Sequence, residues 1–205
     1  MAISYPLSIP NNNVNKTKFR AINTAASSRS PFTHAEQVVA HSGQHWEVDV
    51  TLPPMDRDAA EVWVSWLLSL RGKVGTFLLG DIVGATARGS AGGTPLVNGG
   101  SQTGGSLVID GATASQTGWL KAGDYIQLGS GATATLHKVL QDANSDGSGN
   151  VTLDLWPYIR SAPADNSTVV VSNAVGRFRL ASNAQDWDIN SAAIFGLTFG
   201  AVEAI

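Results

Sequence analysis

The sequence predicts a mainly-β protein with a single α-helix and an all-β insertion. Three observations predict it. Trp46, Val48, Val50 and Leu52 alternate with Glu47, Asp49 and Thr51, the period of two that marks a half-buried strand. Residues 56–72 carry apolar side chains at three- and four-residue spacing, the pattern of an amphipathic helix. Beyond Asp81, glycine, threonine, serine and alanine dominate residues 84–118, and short apolar runs then recur between glycine-rich turns at the spacing of a small barrel or sandwich.

Taken in order, residues 1–30 are polar and read as a short strand followed by loop or extended arm. EQVVAH and HWEVDVTLPP flank Ser42-Gly43, a usable turn dipeptide, so a hairpin is predicted there. Pro53-Pro54 ends its second strand. Asp56 is placed to cap the helix, since its carboxylate can accept a free amide of the first turn. Ala59, Trp63, Trp66, Leu67 and Leu70 form the predicted apolar face, and Gly72 is placed to end the helix in a left-handed conformation. KVGTFLLGD (73–81) reads as a strand. Residues 84–118 are too rich in glycine and β-branched residues for a helix. SLVID, DYIQLGS, ATLHKVL, VTLDLWPYI, STVVVSN, GRFRLAS and the terminal AIFGLTFGAVEAI read as further strands.

One internal echo bears on domain organisation. GTFLLGD (75–81) and GRFRLAS (176–182) share Gly-x-Phe-x-Leu and bracket the glycine-rich region. The chain is read as leaving a first domain in one strand and returning in the other, so that these strands are neighbours. Residues 1–82 and 176–205 then form one discontinuous domain, and residues 83–175 an inserted all-β domain. Domain termini commonly lie close together, which is why insertions of this kind are tolerated.

The bulk properties narrow the function classes. Of 205 residues only 14% are charged, against about a quarter in ordinary domains. A surface so poor in charge is predicted to be covered in part by partners. The net charge of −3, with no basic run, argues against duplex nucleic acid as a target. With no cysteine there is no disulfide, thiolate nucleophile or cysteine-based zinc site. The N-terminus lacks the basic start and apolar stretch of a signal peptide, and no apolar run approaches membrane-spanning length.

Several stretches invite a chemical reading. His34, His41 and His45 lie close together in sequence. With a two-residue turn at Ser42-Gly43, His41 and His45 point to opposite faces; a three-residue loop places them side by side. A zinc site needs three or four converging ligands, so the plain reading is two strand histidines and one loop histidine. In DANSDGSGN (142–150), Asp142, Asn144, Asp146 and Gly147 match the first half of a calcium-loop pattern, but its twelfth position is Leu153 where a bidentate glutamate belongs. The same residues suit a hairpin turn, with weak calcium binding as the alternative. The glycine clusters lack the Lys-Ser/Thr of a phosphate loop. No serine–histidine–aspartate set or carboxylate pair can be singled out. Trp46, Trp63 and Trp66 read as core. Trp119, Trp156 and Trp187 read as strand-end or turn residues that either pack or offer a sugar-stacking platform. No catalytic, cofactor-binding or metal-ligating set is predicted.

SPFTHAEQVVAHSGQHWEVDVTLPPMDRDAAEVWVSWLLSLRGKVGTFLLGD, GTPLVNGGSQTG, LKAGDYIQLGSG, HKVLQDANSDGSGNVTLDLWPYIR and GRFRLAS…GLTFGAVEAI together resemble the distal tail protein of long-tailed (siphovirus-type) bacteriophages and prophages. The resemblance covers nearly all of the chain beyond about residue 25, and none of its phrases is a catalytic motif. It implies a tail-tube-like β-sandwich flanked by one helix, with the insertion as a small β-barrel projecting outward. It further implies a non-enzymatic virion protein made in the bacterial cytoplasm. Six copies would form a ring that joins the tail tube to the tip or baseplate and continues the DNA channel. The implied partners are further copies of the chain, the tail tube protein and the tail-tip hub or central fibre proteins, with DNA passing through unbound. Two alternatives are another tail tube component and a carbohydrate-binding tail module contacting host glycans through Trp119, Trp156 or Tyr158. A third, a metal-dependent hydrolase built on the histidines, finds little support in the sequence.

Overall fold

The computed structural model describes residues 3–11, 13–190 and 194–205. In chain order the elements are β1 (Leu7–Ser8), β2 (Lys16–Arg29), β3 (Glu36–Thr51), α1 (Arg57–Ser69), β4 (Thr76–Leu79), β5 (Gly93–Val97), β6 (Gly104–Ala112), β7 (Tyr125–Leu128), β8 (Thr135–Val139), β9 (Val151–Ile159), β10 (Val169–Val170), β11 (Gly176–Leu180), β12 (Trp187–Ile189) and β13 (Phe195–Glu203). The protein is mainly β with a single α-helix, as the sequence predicts.

Two sheets divide the strands. The first runs β1-β4-β11-β13-β3-β2, with β12 added on β13; the second runs β10-β7-β8-β9-β6-β5. The second sheet nearly closes on itself. The Val97 amide donates to the Ser167 carbonyl and the Asn166 amide to the Val97 carbonyl, each at 2.9 Å, which brings its two end strands together. The Gly-x-Phe-x-Leu strands are neighbours: β4 and β11 pair antiparallel with Phe77 opposite Phe178 and Leu79 opposite Gly176. All strands of the second sheet come from between them.

Helix α1 covers one face of the first sheet. Asp56 caps it, accepting the Ala59 amide at 3.0 Å. Trp63, Trp66, Leu67 and Leu70 are buried as predicted, while Ala59 lies exposed and Ala60 and Val64 complete the buried face. Just after Pro53-Pro54, Met55 pairs with Phe195 and ties the start of the helix to β13. Val48, Val50, Phe77, Phe178, Phe199 and Ala201 meet the helix from the sheet. Beyond the helix, Gly72 takes φ +65°, as its placement predicts.

The predicted hairpin at Ser42-Gly43 is not formed. Strand β3 runs straight through both residues and pairs instead with β2, a 14-residue strand where the sequence suggested loop or arm. The turn lies at Ser30–Ala35, where the Ser30 carbonyl accepts the His34 amide and the Ser30 hydroxyl accepts the amides of Phe32 and Thr33. Gly43 has a different task. The ladder shifts register between Ile22 and Thr24, and a Cβ at Gly43 would come within 2.9 Å of the Thr24 hydroxyl. A glycine at a close approach inside a strand carries the same local signature as one in a turn. Strand β1 is the short strand expected near the start of the chain, whereas β5 and β12 are not predicted from the sequence.

Each sheet has its own core, and the two meet. Tyr125, Leu136 and Ala174 join the first core, with Trp156 packed against it, although the second sheet or its flanks supply them. Joining Asp81 to Gly176 and deleting the residues between should therefore leave a remainder that folds, because the pairing of Leu79 with Gly176 survives. It should be less stable than the whole chain, because Trp46 loses its cover. Far-UV circular dichroism and denaturant unfolding read both; a remainder without strand signal contradicts the insertion reading.

Candidate functional site

The sequence-predicted residues are not gathered into one site. His34 sits in the turn with φ 56°, His41 lies opposite Thr24 and His45 opposite Ile22. His45 Nδ1 is 2.9 Å from the Gly43 carbonyl. Among the described residues no group of three or more histidine, aspartate or glutamate side chains could hold a metal ion. In the 142–150 loop, Asp142 accepts the Ala122 amide, Asn144 the Gly118 amide, and Asp146 the amides of Ser148 and Asn150. These side chains cap backbone and hold the loop to its neighbours. The bonds from Asn150 and Ser148 keep the Asp146 carboxyl below its ordinary range.

The tryptophans are mostly internal. Trp119 is fully buried in the second core, its indole N–H donating to the Gly92 carbonyl at 2.8 Å, so its faces are closed to a sugar. Trp156 is half-buried; its N–H donates to Asn23 and its ring meets Trp46 edge-on at 4.3 Å between centroids. Tyr158 is 37% exposed. Trp187 lines a cleft of about 190 Å³ with Thr51, Leu52, Asp186 and Asp188.

The fourth histidine, His137, was not singled out from sequence. It is buried on β8, where Nδ1–H donates to the Pro157 carbonyl at 2.7 Å and Nε2 faces the Thr135 hydroxyl at 2.9 Å. Burial pushes its pKa down to about 4 and the Arg160 charge adds to this, against the opposing bond to Pro157. Between that value and the ordinary one near 6.5 the unfolded chain binds a proton that the folded chain refuses. Stability is therefore full above the unfolded value and falls as pH drops through the window. The loss between pH 7 and pH 5 should be roughly 2 kcal/mol, measured by denaturant titration, and His137→Gln should flatten it.

Two polar nodes tie the sheets together. Glu203, at the end of β13, accepts the Trp46 amide at 3.0 Å and faces Arg160, whose guanidinium also donates to the Gln44 carbonyl. Gln44 in turn accepts the Tyr158 amide through its side chain. In the second node Lys138 Nζ donates to the Tyr125 hydroxyl at 2.9 Å. Burial, and then the Asp81 carboxylate, push the Tyr125 phenol above its ordinary range; burial lowers Lys138. Nearby, Asp124 accepts the amides of Arg88, Gly89 and Lys121. These nodes fix the orientation of one sheet on the other.

What remains without internal cover is an arm. Beyond the bulge, β2 and β3 continue as a two-stranded ribbon, and residues 23–43 are exposed on both faces apart from the half-buried Ser30. Phe32 at its tip is 92% exposed, with Val38 and Val39 behind it. Three or more strands with a buried face are normally needed for independent stability, and this ribbon has two strands and no buried face. The sequence leaves loop or extended arm open for residues up to 30 and does not show the pairing of β2 with β3, because a strand exposed on both faces shows no alternation.

No family model matches the chain, and no curated protein does. No helix among the described residues is long and apolar enough to cross a membrane.

Proposed function

We propose that this chain is a structural, non-enzymatic virion protein of a long-tailed phage. In this reading six copies form the distal tail ring that joins the tail tube to the tip and continues the DNA channel. The observation that carries it is the arm: a ribbon of about 20 residues with both faces exposed, on a chain poor in charge, is a subunit surface awaiting neighbours. The phrase-by-phrase resemblance to distal tail proteins supplies the identity of the assembly. Mainly-β architecture with one flanking helix and a nearly closed second sheet agrees with what that resemblance implies. The tail tube protein and the tip hub would meet the two rims of the ring, and DNA would pass without specific contact. We further propose that residues 83–175 form the inserted domain, facing outward.

Native mass spectrometry of the full chain mixed with the tail tube protein tests this reading. The expected product is a complex holding six copies of the chain; a complex of any other stoichiometry, or none, counts against it. The glycan-binding alternative has Tyr158 and the Trp187 cleft as its accessible aromatics. A glycan array probed with the full chain separates it, since a ring component shows no sugar dependence.

A further inference from the structure

We propose that the arm is a self-association element, in which the free edge of β2 in one copy pairs antiparallel with the arm portion of β3 in the next. This rests on the ring reading above and names the surfaces through which copies meet. Strand β13 pairs with β3 only from Glu47 to Thr51, and β2 ends the path of its sheet. Among the described residues, then, β3 from Glu36 to Gly43 and β2 from Thr24 to Arg29 each keep one unpaired edge. Free edges of this length are templates for pairing unless charge, proline or a bulge blocks them. Here Ala25, Ala26, Ser27 and Ser28, beyond the bulge between Ile22 and Thr24, offer small side chains and no block.

Charge then selects which edges meet. Strand β2 carries Lys16, Lys18, Arg20 and Arg29 and no acid; β3 carries Glu36, Glu47 and Asp49 and no lysine or arginine. Arg20 is engaged within the chain, to Glu47 at 3.2 Å and Asp49 at 2.9 Å. Arg29 and Glu36 face each other at the end of the arm, outside any ion pair among the described residues. Two β2 edges paired parallel and in register would set Arg29 against Arg29, and two β3 edges Glu36 against Glu36; paired antiparallel, either like combination carries these residues to opposite ends, where neither meets an opposite charge. A β2 edge on a β3 edge instead places each Arg29 between its own Glu36 and that of the next copy. Like charges opposed across strands are destabilising and opposite charges favourable, so the unlike pairing wins. Because each arm has one edge of each kind, the contact is head-to-tail and can close into a ring.

The chain has no cysteine, so single cysteines report the contact cleanly. Ala26 and Val39 lie at one level of the ladder. Full-length Ala26→Cys and Val39→Cys proteins are mixed in equal amounts, concentrated, mildly oxidised and resolved by mass, with Ala25→Cys and Ser27→Cys scanning a shifted register. The expected result is mixed dimers in several-fold excess over either like dimer. Arg29→Glu should reduce them about fivefold, and Arg29→Glu combined with Glu36→Arg should restore them, with circular dichroism showing both variants folded. Like dimers in equal or greater amount overturn the proposal. So does failure of the double variant to restore the link. Oligomers without the mixed link overturn arm pairing but leave the ring reading standing. Monomers without the link overturn it too, and the ring reading is then judged at the tail tip. Cross-linking of the arm to added tail tube protein in place of a second copy also overturns it.

Discussion

Glu203→Ala should lower the unfolding free energy by about 3–5 kcal/mol, the cost of removing one partner of a buried ion pair. The carboxylate is almost fully buried and has two dependants: the Trp46 amide and the Arg160 guanidinium. Without it the Trp46 amide loses its acceptor and Arg160 keeps only the Gln44 carbonyl, its Nε already lacking a partner there. Leaving buried donors unpaired is more costly than the bonds themselves are stabilising. Glu203→Gln should recover part of the loss, because an amide oxygen can still accept from Trp46. Denaturant unfolding of the three proteins at neutral pH decides it; equal midpoints for the wild type and the alanine variant would show that the junction carries no stability.

Trp66→Ala should cost a similar amount, about 3–5 kcal/mol, through the cavity left under the helix. The indole is packed edge-on to Phe77 at 5.0 Å and lies close to Trp63 and Phe199. Its N–H donates to the Ser8 carbonyl at 2.8 Å and so anchors β1 at the far edge of the sheet. Thermal unfolding of the isolated chain should show the loss. A variant with unchanged melting but impaired assembly would instead place Trp66 at an interface between copies.

The parts of the fold legible in the sequence are those in which one physical requirement dominates a stretch. Asp56, the apolar spacing from Trp63 to Leu70 and Gly72 all answer to helix geometry, and they locate α1 to within a residue or so. The alternation from Trp46 to Leu52 answers to a single buried face. Phe77 and Phe178 sit opposite each other because both fill the same layer beneath the helix, which is why their shared pattern identifies neighbours. The arm obeys no such requirement. Thr24 to Ser28 and Gln37 to Gly43 face solvent on both sides, so nothing imposes a period, and Gly43 accommodates the bulge rather than a turn. The junction was equally hidden: Glu203 is one acid in an apolar strand, and its partners Trp46 and Arg160 lie far away in the chain. What the sequence does carry for the arm is the segregation of charge between β2 and β3, which becomes informative only once the two strands are known to pair.

The central claim concerns assembly, and an image of the phage tail tip at a resolution that distinguishes subunits tests it most directly. Six copies of this chain should form one closed ring between the last ring of the tail tube and the tip, with the channel running through it. A single copy at the tip, an open helical stack like that of tube subunits, or a particle without the protein would contradict the account.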